Sequence, residues 1–377
     1  MSTRQIVADE NIPEVAAWFA PLGEVRTVPG RTLAAEQLGA AEILLVRSVT
    51  QVGRELLEGS RVRFVGTATI GTDHLDLEYL RERGIAWASA PGSNATSVVE
   101  YVLSSLCVLD GVLERLLNGG RVGIIGLGNV GSRLRRRLLQ LGIDVIAYDP
   151  LLPGAPHLRP LDEVLSADVV CCHTPLTRTG PYPTLHLLDE RRLRRLRPGA
   201  VLLNAGRGGA VDNRALLRVL EARTDLRVVL DVWEGEPDIN RELLARVDIA
   251  TPHIAGYSLD GKRAGTHNLV EACCAFLREP EPAPPPIAAP APVLQLPVGL
   301  HGANWLRRAM LAVYDVREDD RRLRAALAEQ GTPAFDRLRK FYPVRRELAV
   351  FTIDTWDELD DAARAGLSAL GFSRAGR

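Results

Sequence analysis

Arg121-Val-Gly-Ile-Ile-Gly126-Leu-Gly128-Asn129-Val130-Gly131 and, one helical run later, Asp144-Val-Ile-Ala-Tyr-Asp149-Pro150 decide the fold of this chain. An apolar strand ends at Gly126, where a tight turn is needed. Gly128 lets the backbone approach a pyrophosphate, and Gly131 lets the following helix pack closely on the strand. The helix that opens at Asn129 and Val130 aims free N–H groups and its positive dipole end at the phosphates. Asp149 closes a second apolar strand eighteen residues past Gly131. A carboxylate there hydrogen-bonds the adenosine ribose hydroxyls and repels a 2′-phosphate, so the expected cofactor is NAD rather than NADP.

Outward from that stretch, apolar runs and helical patterns keep alternating. Strands are expected at residues 122–125, 145–148, 169–172, 201–204, 228–230 and 249–250, six in one parallel sheet with helices between. Upstream, strands at residues 6–8, 43–46, 64–66 and 85–88 alternate with helices at 13–22, 52–58 and 75–83, which implies right-handed crossovers and a second, flavodoxin-like parallel sheet. A helix over 97–117 is long enough to bridge two domains, and one over 259–278 returns the chain to the first. Residues 279–293 form a proline-rich, extended linker. Beyond it, strands at 294–298 and 348–353 and amphipathic helices at 305–330 and 356–370 suggest a small α+β module. The fold class is therefore α/β. The expected division is a substrate-binding domain (1–96 and 257–278), an NAD-binding Rossmann domain (97–256), the linker, and a C-terminal domain (294–377).

The 377 residues exceed one ordinary core, and a net charge of −1 gives no nucleic-acid surface. The arginine clusters at 133–137 and 191–197 read as solvated helix faces. No apolar run approaches the ~20 residues of a membrane span, and the first residues enter a strand without a signal-peptide pattern. Cys107, Cys171, Cys172, Cys273 and Cys274 have no metal-ligand spacing and read as small core residues in a reducing cytoplasm. No metal is expected.

Three polar residues stand just beyond successive strands of the second sheet: Arg207, Glu236 and His253. Strand C-terminal ends line the ligand crevice of a doubly wound sheet, so all three are expected beside the nicotinamide. Their types suit oxidation of a 2-hydroxy acid. Histidine takes the hydroxyl proton as hydride leaves, a carboxylate orients the histidine, and arginine grips the substrate carboxylate.

Gly126-Leu-Gly-Asn-Val-Gly131, Cys172-His-Thr-Pro-Leu176, Asn204-Ala-Gly-Arg-Gly208, Asp231-Val-Trp-Glu-Gly-Glu-Pro237 and Thr251-Pro-His-Ile-Ala-Gly256 together resemble the D-2-hydroxyacid dehydrogenases over residues 1–278. Val7-Ala-Asp-Glu-Asn11, Val46-Arg-Ser-Val-Thr50, Phe64-Val-Gly-Thr-Ala-Thr-Ile-Gly-Thr-Asp-His74, Gly180-Pro-Tyr-Pro-Thr-Leu-His-Leu187 and the appended C-terminal domain narrow the resemblance. They are similar to the branch that oxidises 4-phospho-D-erythronate on the deoxyxylulose-5-phosphate-dependent route to pyridoxal phosphate. The resemblance implies catalytic Arg207, Glu236 and His253, substrate contacts at Ser48, Thr69 and Tyr257, and NAD contacts at Asp149, Thr174, Asp231 and Gly256. Two departures from the pattern are Ile70, where a small residue is usual, and Gly206, where cysteine is usual.

A phosphorylated substrate needs cationic partners, and Arg47 is the residue expected to meet the phosphate. The segment 67–71 is expected to offer backbone N–H groups to the carboxylate. His74 reads as structural, Cys172-His173 as strand-end packing, and Asp9-Glu10-Asn11 as a helix cap. The C-terminal domain is assigned to homodimer formation through apolar faces such as Trp356, Leu359, Ala363, Leu367 and Leu370. Dimerisation would also carry Arg345-Arg346 towards the other subunit's phosphate pocket. Two other readings stand beside this one: a different dehydrogenase of the family, such as one acting on 3-phosphoglycerate, and an NAD-sensing interaction protein.

Overall fold

The computed structural model describes residues 4–152, 154–285, 291–297 and 299–376, so residues 286–290 of the expected linker lie outside the described residues. The chain divides into two compact units, residues 1–94 with 258–290 and residues 95–257 with 291–377.

The first unit carries β1 (Gln5–Asp9), β2 (Glu24–Val28), β3 (Ile43–Val46), β4 (Phe64–Thr67) and β5 (Ala86–Ala88). All pairings are parallel, in the order β2-β1-β3-β4-β5. This is the flavodoxin-like order expected of one doubly wound sheet. Alternation along β3 shows why these residues form a central strand. Leu44 and Val46 face one core with Val65 and Leu80, whereas Ile43 and Leu45 face the other with Phe64 and Leu269. Leu269 belongs to the helix Leu259–Leu277, which covers that second face. The sequence reading omitted β2. It is an edge strand with mostly exposed side chains, so it lacks the apolar run by which a buried strand is read.

The second unit carries β6 (Arg121–Ile125), β7 (Asp144–Tyr148), β8 (Val169–Cys172), β9 (Val201–Asn204), β10 (Arg227–Leu230) and β11 (Ile249–Ala250). Their order is β11-β10-β9-β8-β6-β7, parallel throughout. The order of strands reverses between β6 and β8, and that is where such sheets bind ligands. The single helix expected over 97–117 is two, Ala95–Val108 and Val112–Leu117. Gly111, which caps the second at its N-terminus, adopts φ +70°, a left-handed conformation that breaks the helical run.

The C-terminal residues join this second unit. Among the described residues they form a small parallel sheet of β12 (Val293–Leu294), β13 (Thr352–Ile353) and β14 (Ser373–Arg374) with four α-helices. The helix expected over 305–330 is broken into Ala303–Val313 and Val316–Gln330, because Tyr314 is extended and the Asp315 side chain caps the second helix. The helix Ala303–Val313 packs on Ala95–Val108, and Val316–Gln330 packs against β11. Asp320 Oδ1 accepts the Ala250 N–H at 2.8 Å, and Arg324 donates to the Leu244 and Val247 carbonyls, so this helix satisfies the edge of the larger sheet.

Two expectations for this domain change as a result. Leu359, Ala363, Leu367 and Leu370 are buried in the chain's own core with Val102, Leu106 and Leu306, and so are not a surface for a partner. Arg345 is likewise buried. It donates to the carbonyls of Ser97 and Ala255 and lies 3.6 Å from Glu100, so it cannot reach another subunit's pocket. Among the described residues, no helix is long and apolar enough to cross a membrane.

Candidate active site

The glycines after β6 each meet a different steric demand. Gly126 turns the chain at φ +90°, a conformation that side chains rarely adopt. A Cβ on Gly131 would collide with the Gly126 carbonyl, so only glycine lets the helix Asn129–Gln140 approach the strand. At Gly128 a Cβ would meet nothing within 4 Å, which leaves open space in front of the helix N-terminus. Gly128 and Asn129 are exposed and Val130 half-buried, so the first N–H groups face outward. Asp149 Oδ2 accepts the Leu127 N–H at 2.8 Å and thereby also shapes the glycine turn. Its Oδ1 accepts from Leu151 N, and each oxygen retains a lone pair for a hydroxyl.

Across the switch point, Thr174 packs on this turn. A Cβ on Gly126 would stand 3.1 Å from the Thr174 methyl, and one on Gly206 would stand 2.9 Å from the Thr174 carbonyl oxygen. Glycine at position 206, the departure noted in the sequence, therefore suits the close approach of the β8 and β9 loops. These features fit a dinucleotide: an open anion cradle, an acid at the next strand end, and crowded glycines elsewhere.

The chemical groups gather at the ends of β9, β10 and β11. Arg207 follows β9 and is half-buried, with one guanidinium nitrogen donating to the Gly206 carbonyl at 3.0 Å. Asn204 sets this loop by accepting from Gly206 N–H and donating to the Arg207 carbonyl. Gly208 abuts the Trp233 carbonyl so closely that no side chain fits, which keeps the Arg207 loop against the Glu236 loop. Glu236 Oε1 accepts the Trp233 N–H at 2.6 Å, and its Oε2 lies 2.8 Å from His253 Nδ1. A carboxylate against Nδ1 places the proton there, so Nε2 carries the lone pair. Nε2 has no partner among the described residues.

His253 itself is held with φ +57°, its N–H donating to the Asp231 carbonyl at 2.7 Å. The buried Asp231 carboxylate accepts from Thr251 Oγ1 and from the backbone of Ile254 and Ala255. Gly256 lies in the turn that this carboxylate anchors, closed by Tyr257 N–H to the Ile254 carbonyl. Trp233 Nε1 donates to the Thr251 carbonyl and ties the glutamate loop to the histidine loop.

The remaining predicted residues belong to the first unit. Arg47 and Ser48 follow β3, half-buried and exposed respectively. Thr69 follows β4, with Oγ1 bonded to Thr67 Oγ1 at 2.7 Å and to the Gly71 carbonyl at 3.0 Å. His74 is buried and bonded to Thr67 at 2.8 Å, a structural brace for the same turn. Asp9 accepts from Asn11 N–H in a local turn.

Sequence reasoning missed several supports. His186 Nε2 lies 2.6 Å from Glu234, which exchanges hydrogen bonds with Asn213, so His186 and Asn213 brace the loop that carries Glu234 and Glu236. Neither nitrogen of His173 has a hydrogen-bond partner among the described residues, and burial lowers its pKa to about 4, so the ring is neutral. Tyr342 and Arg339 stand against Tyr257. Nothing in the sequence separated that arginine from its solvated neighbours.

Residues 109–255 match the family described as D-isomer specific 2-hydroxyacid dehydrogenase, NAD binding domain, and residues 289–371 match a domain of unknown function, DUF3410. The chain is 51% identical to the erythronate-4-phosphate dehydrogenase of Cellvibrio japonicus, over 98% of this chain and 99% of that protein. It is also 51% identical to the enzyme of the same name from Edwardsiella ictaluri, over 98% of each. Among solved structures, the D-lactate dehydrogenase of Aquifex aeolicus, in complex with NAD and lactic acid, superposes with a TM-score of 0.58 at 25% identity and covers 73% of this chain and 96% of its own. Near-full-length identity at this level, together with the glycine cradle and the paired Glu236 and His253, places the chain in the erythronate-4-phosphate dehydrogenase family of D-isomer-specific 2-hydroxyacid dehydrogenases.

Proposed function

We propose that this chain oxidises 4-phospho-D-erythronate at C2, with NAD, to (3R)-3-hydroxy-2-oxo-4-phosphooxybutanoate on the route to pyridoxine 5′-phosphate. The observation that carries the reading is the 2.8 Å contact between Glu236 and His253 at the ends of β10 and β11, in a sheet that bears the dinucleotide fingerprint. NAD, held at the glycine turn and Asp149, would supply the hydride acceptor for C2. His253 Nε2 takes the C2 hydroxyl proton as the C–O bond gains double-bond character. Glu236 stabilises the resulting imidazolium and keeps the ring in place. Arg207 binds the carboxylate and polarises the developing carbonyl. Asp149, Thr174, Asp231 and Gly256, with the glycine turn, are the residues proposed to hold NAD. Ser48, Thr69 and Tyr257 are the proposed substrate contacts, and Arg47 the proposed partner of the phosphate.

We also propose that the protein works in the cytoplasm as a homodimer. Phe341 and Val344, 69% and 77% exposed on the C-terminal domain, support that domain as the contact surface. Oxidation is tested by mixing NAD-loaded protein with 4-phospho-D-erythronate, D-3-phosphoglycerate or D-glycerate and following reduced nicotinamide. Rapid reduction with the first alone is expected. Preference for 3-phosphoglycerate would overturn the substrate assignment.

A further inference from the structure

None of the residues assigned to the reaction lies in the C-terminal domain. Its helix Pro333–Lys340 nevertheless ends beside the catalytic loop. Tyr342, just beyond the helix, meets Tyr257 edge-on with ring centroids 5.6 Å apart. Arg339, in the last turn, is held against Tyr257 by a side-chain hydrogen bond and is close enough to Glu236 to feel its charge. Burial alone would lower its pKa, but Tyr257, Glu236 and Asp336 together raise it, so the guanidinium stays charged.

Its hydrogen bonding is unfinished. Nε is buried with no partner among the described residues, the ion pair printed among them is a 3.5 Å contact to the 61% exposed Asp336, and the arginine side chain itself remains 32% exposed. A guanidinium carries five N–H donors in a planar fork suited to phosphate oxygens. A half-buried arginine with spare donors, next to the residue that orients the catalytic base, is placed for a ligand anion.

The substrate supplies one. His253 acts at C2, and the phosphate of a four-carbon acid hangs from C4, two carbons away. Arg207 serves the carboxylate on the other side of C2. The D-lactate dehydrogenase of Aquifex aeolicus leaves about a quarter of this chain unmatched. Lactic acid, named in that complex, has no phosphate.

We propose that Arg339 binds the phosphate of the substrate, and that the domain of unknown function thereby selects phosphorylated over unphosphorylated hydroxy acids. The proposal rests on the dehydrogenase reading above and deepens it.

The test is calorimetric binding of 4-phospho-D-erythronate and of D-erythronate to NAD-loaded, full-length protein, together with kcat/KM for both. Arg339→Gln is expected to weaken binding of the phosphorylated acid by about 10–100-fold, the loss of a charge-assisted hydrogen bond. Values for D-erythronate should stay within about twofold, and inorganic phosphate should inhibit the variant less than the wild type. Equal losses for both acids would mean that Arg339 only positions Tyr257 and Glu236, and would overturn the proposal, as would no loss for either. Should the glutamine variant fold poorly, Arg339→Lys keeps the charge without the fork and should show the same selective loss in smaller measure. Wild-type protein that binds the phosphorylated acid without oxidising it would refute the dehydrogenase reading while leaving this one standing.

Discussion

Glu236 Oε2 lies 2.8 Å from His253 Nδ1, and this contact sets the direction in which the histidine works. With Nδ1 facing a carboxylate, the basic lone pair is at Nε2, on the side away from the β10 loop. The contact is not left to chance. Glu236 is fixed through Trp233 N–H, and His253 through the Asp231 carbonyl.

His253→Ala is expected to lose on the order of 10²–10⁴-fold in kcat, the usual range for general acid–base catalysis, with its melting temperature little changed. Glu236→Gln keeps a hydrogen-bond partner for Nδ1 but loses the charge, and should fall in the same direction by less. Steady-state kinetics beside a thermal melt checks both. Near-wild-type turnover in the alanine variant would remove His253 from the base role.

Arg207→Lys keeps the charge and loses the planar fork. With the Asn204 hydrogen bonds to the loop backbone untouched, the variant should fold normally. Its kcat/KM is expected to drop roughly 10–100-fold, the worth of a charge-assisted bond. Circular dichroism and initial rates decide the point, and unchanged rates would contradict it.

Much of this site was legible because its residue types are forced. A strand that turns at φ +90° and then admits a helix against its own carbonyl needs glycine at positions 126 and 131, and sequence spacing records that directly. Arg207, Glu236 and His253 were visible as polar residues after apolar strands. What escaped depends on tertiary contact. Arg345 and Arg339 look like any surface arginine until the C-terminal helices pack on Ala95–Val108 and Tyr257. Arg137, expected on a solvated face, is partly desolvated near Glu100 for the same reason. The apolar face of residues 359–370 was readable as apolar, but periodicity does not say which surface covers it. Gly111 and Tyr314 broke helices whose apolar pattern runs on across the break.

Cofactor choice should follow Asp149. Asp149→Ala is expected to weaken NAD binding by roughly 10–100-fold, since it removes hydrogen bonds to a charged acceptor. NADP should bind the variant no worse than the wild type, because the repelling carboxylate is gone. Fluorescence titration with both nucleotides measures the ratio. A wild-type preference for NADP would contradict the assignment.

The buried contact between Glu100 and Arg345 predicts a pH dependence of stability. Burial pushes the Glu100 carboxyl up to about 8, against the opposing pull of Arg345, while its ordinary value is 4.5. Between those values the folded state holds a proton that the unfolded chain releases. Stability from this group is thus full below about pH 4.5, falls as pH rises, and is lost above about pH 8. Glu100→Gln cannot ionise, so the melting temperature of the variant relative to wild type should climb from pH 5 to pH 9. A constant difference across that range would show that Glu100 does not titrate there.

Hydride transfer from C2 of a phosphorylated four-carbon acid is measured with 4-phospho-D-erythronate deuterated at C2. Protein loaded with NAD is mixed with this substrate, quenched with base after one turnover, and the extracted nicotinamide cofactor is weighed by mass spectrometry. The quench makes the result independent of whether the cofactor leaves the enzyme between turnovers. The expected product is NADH one mass unit heavier than that formed from unlabelled substrate, alongside the 2-oxo acid. Unlabelled NADH, or no NADH at all while the acid is consumed, would contradict it.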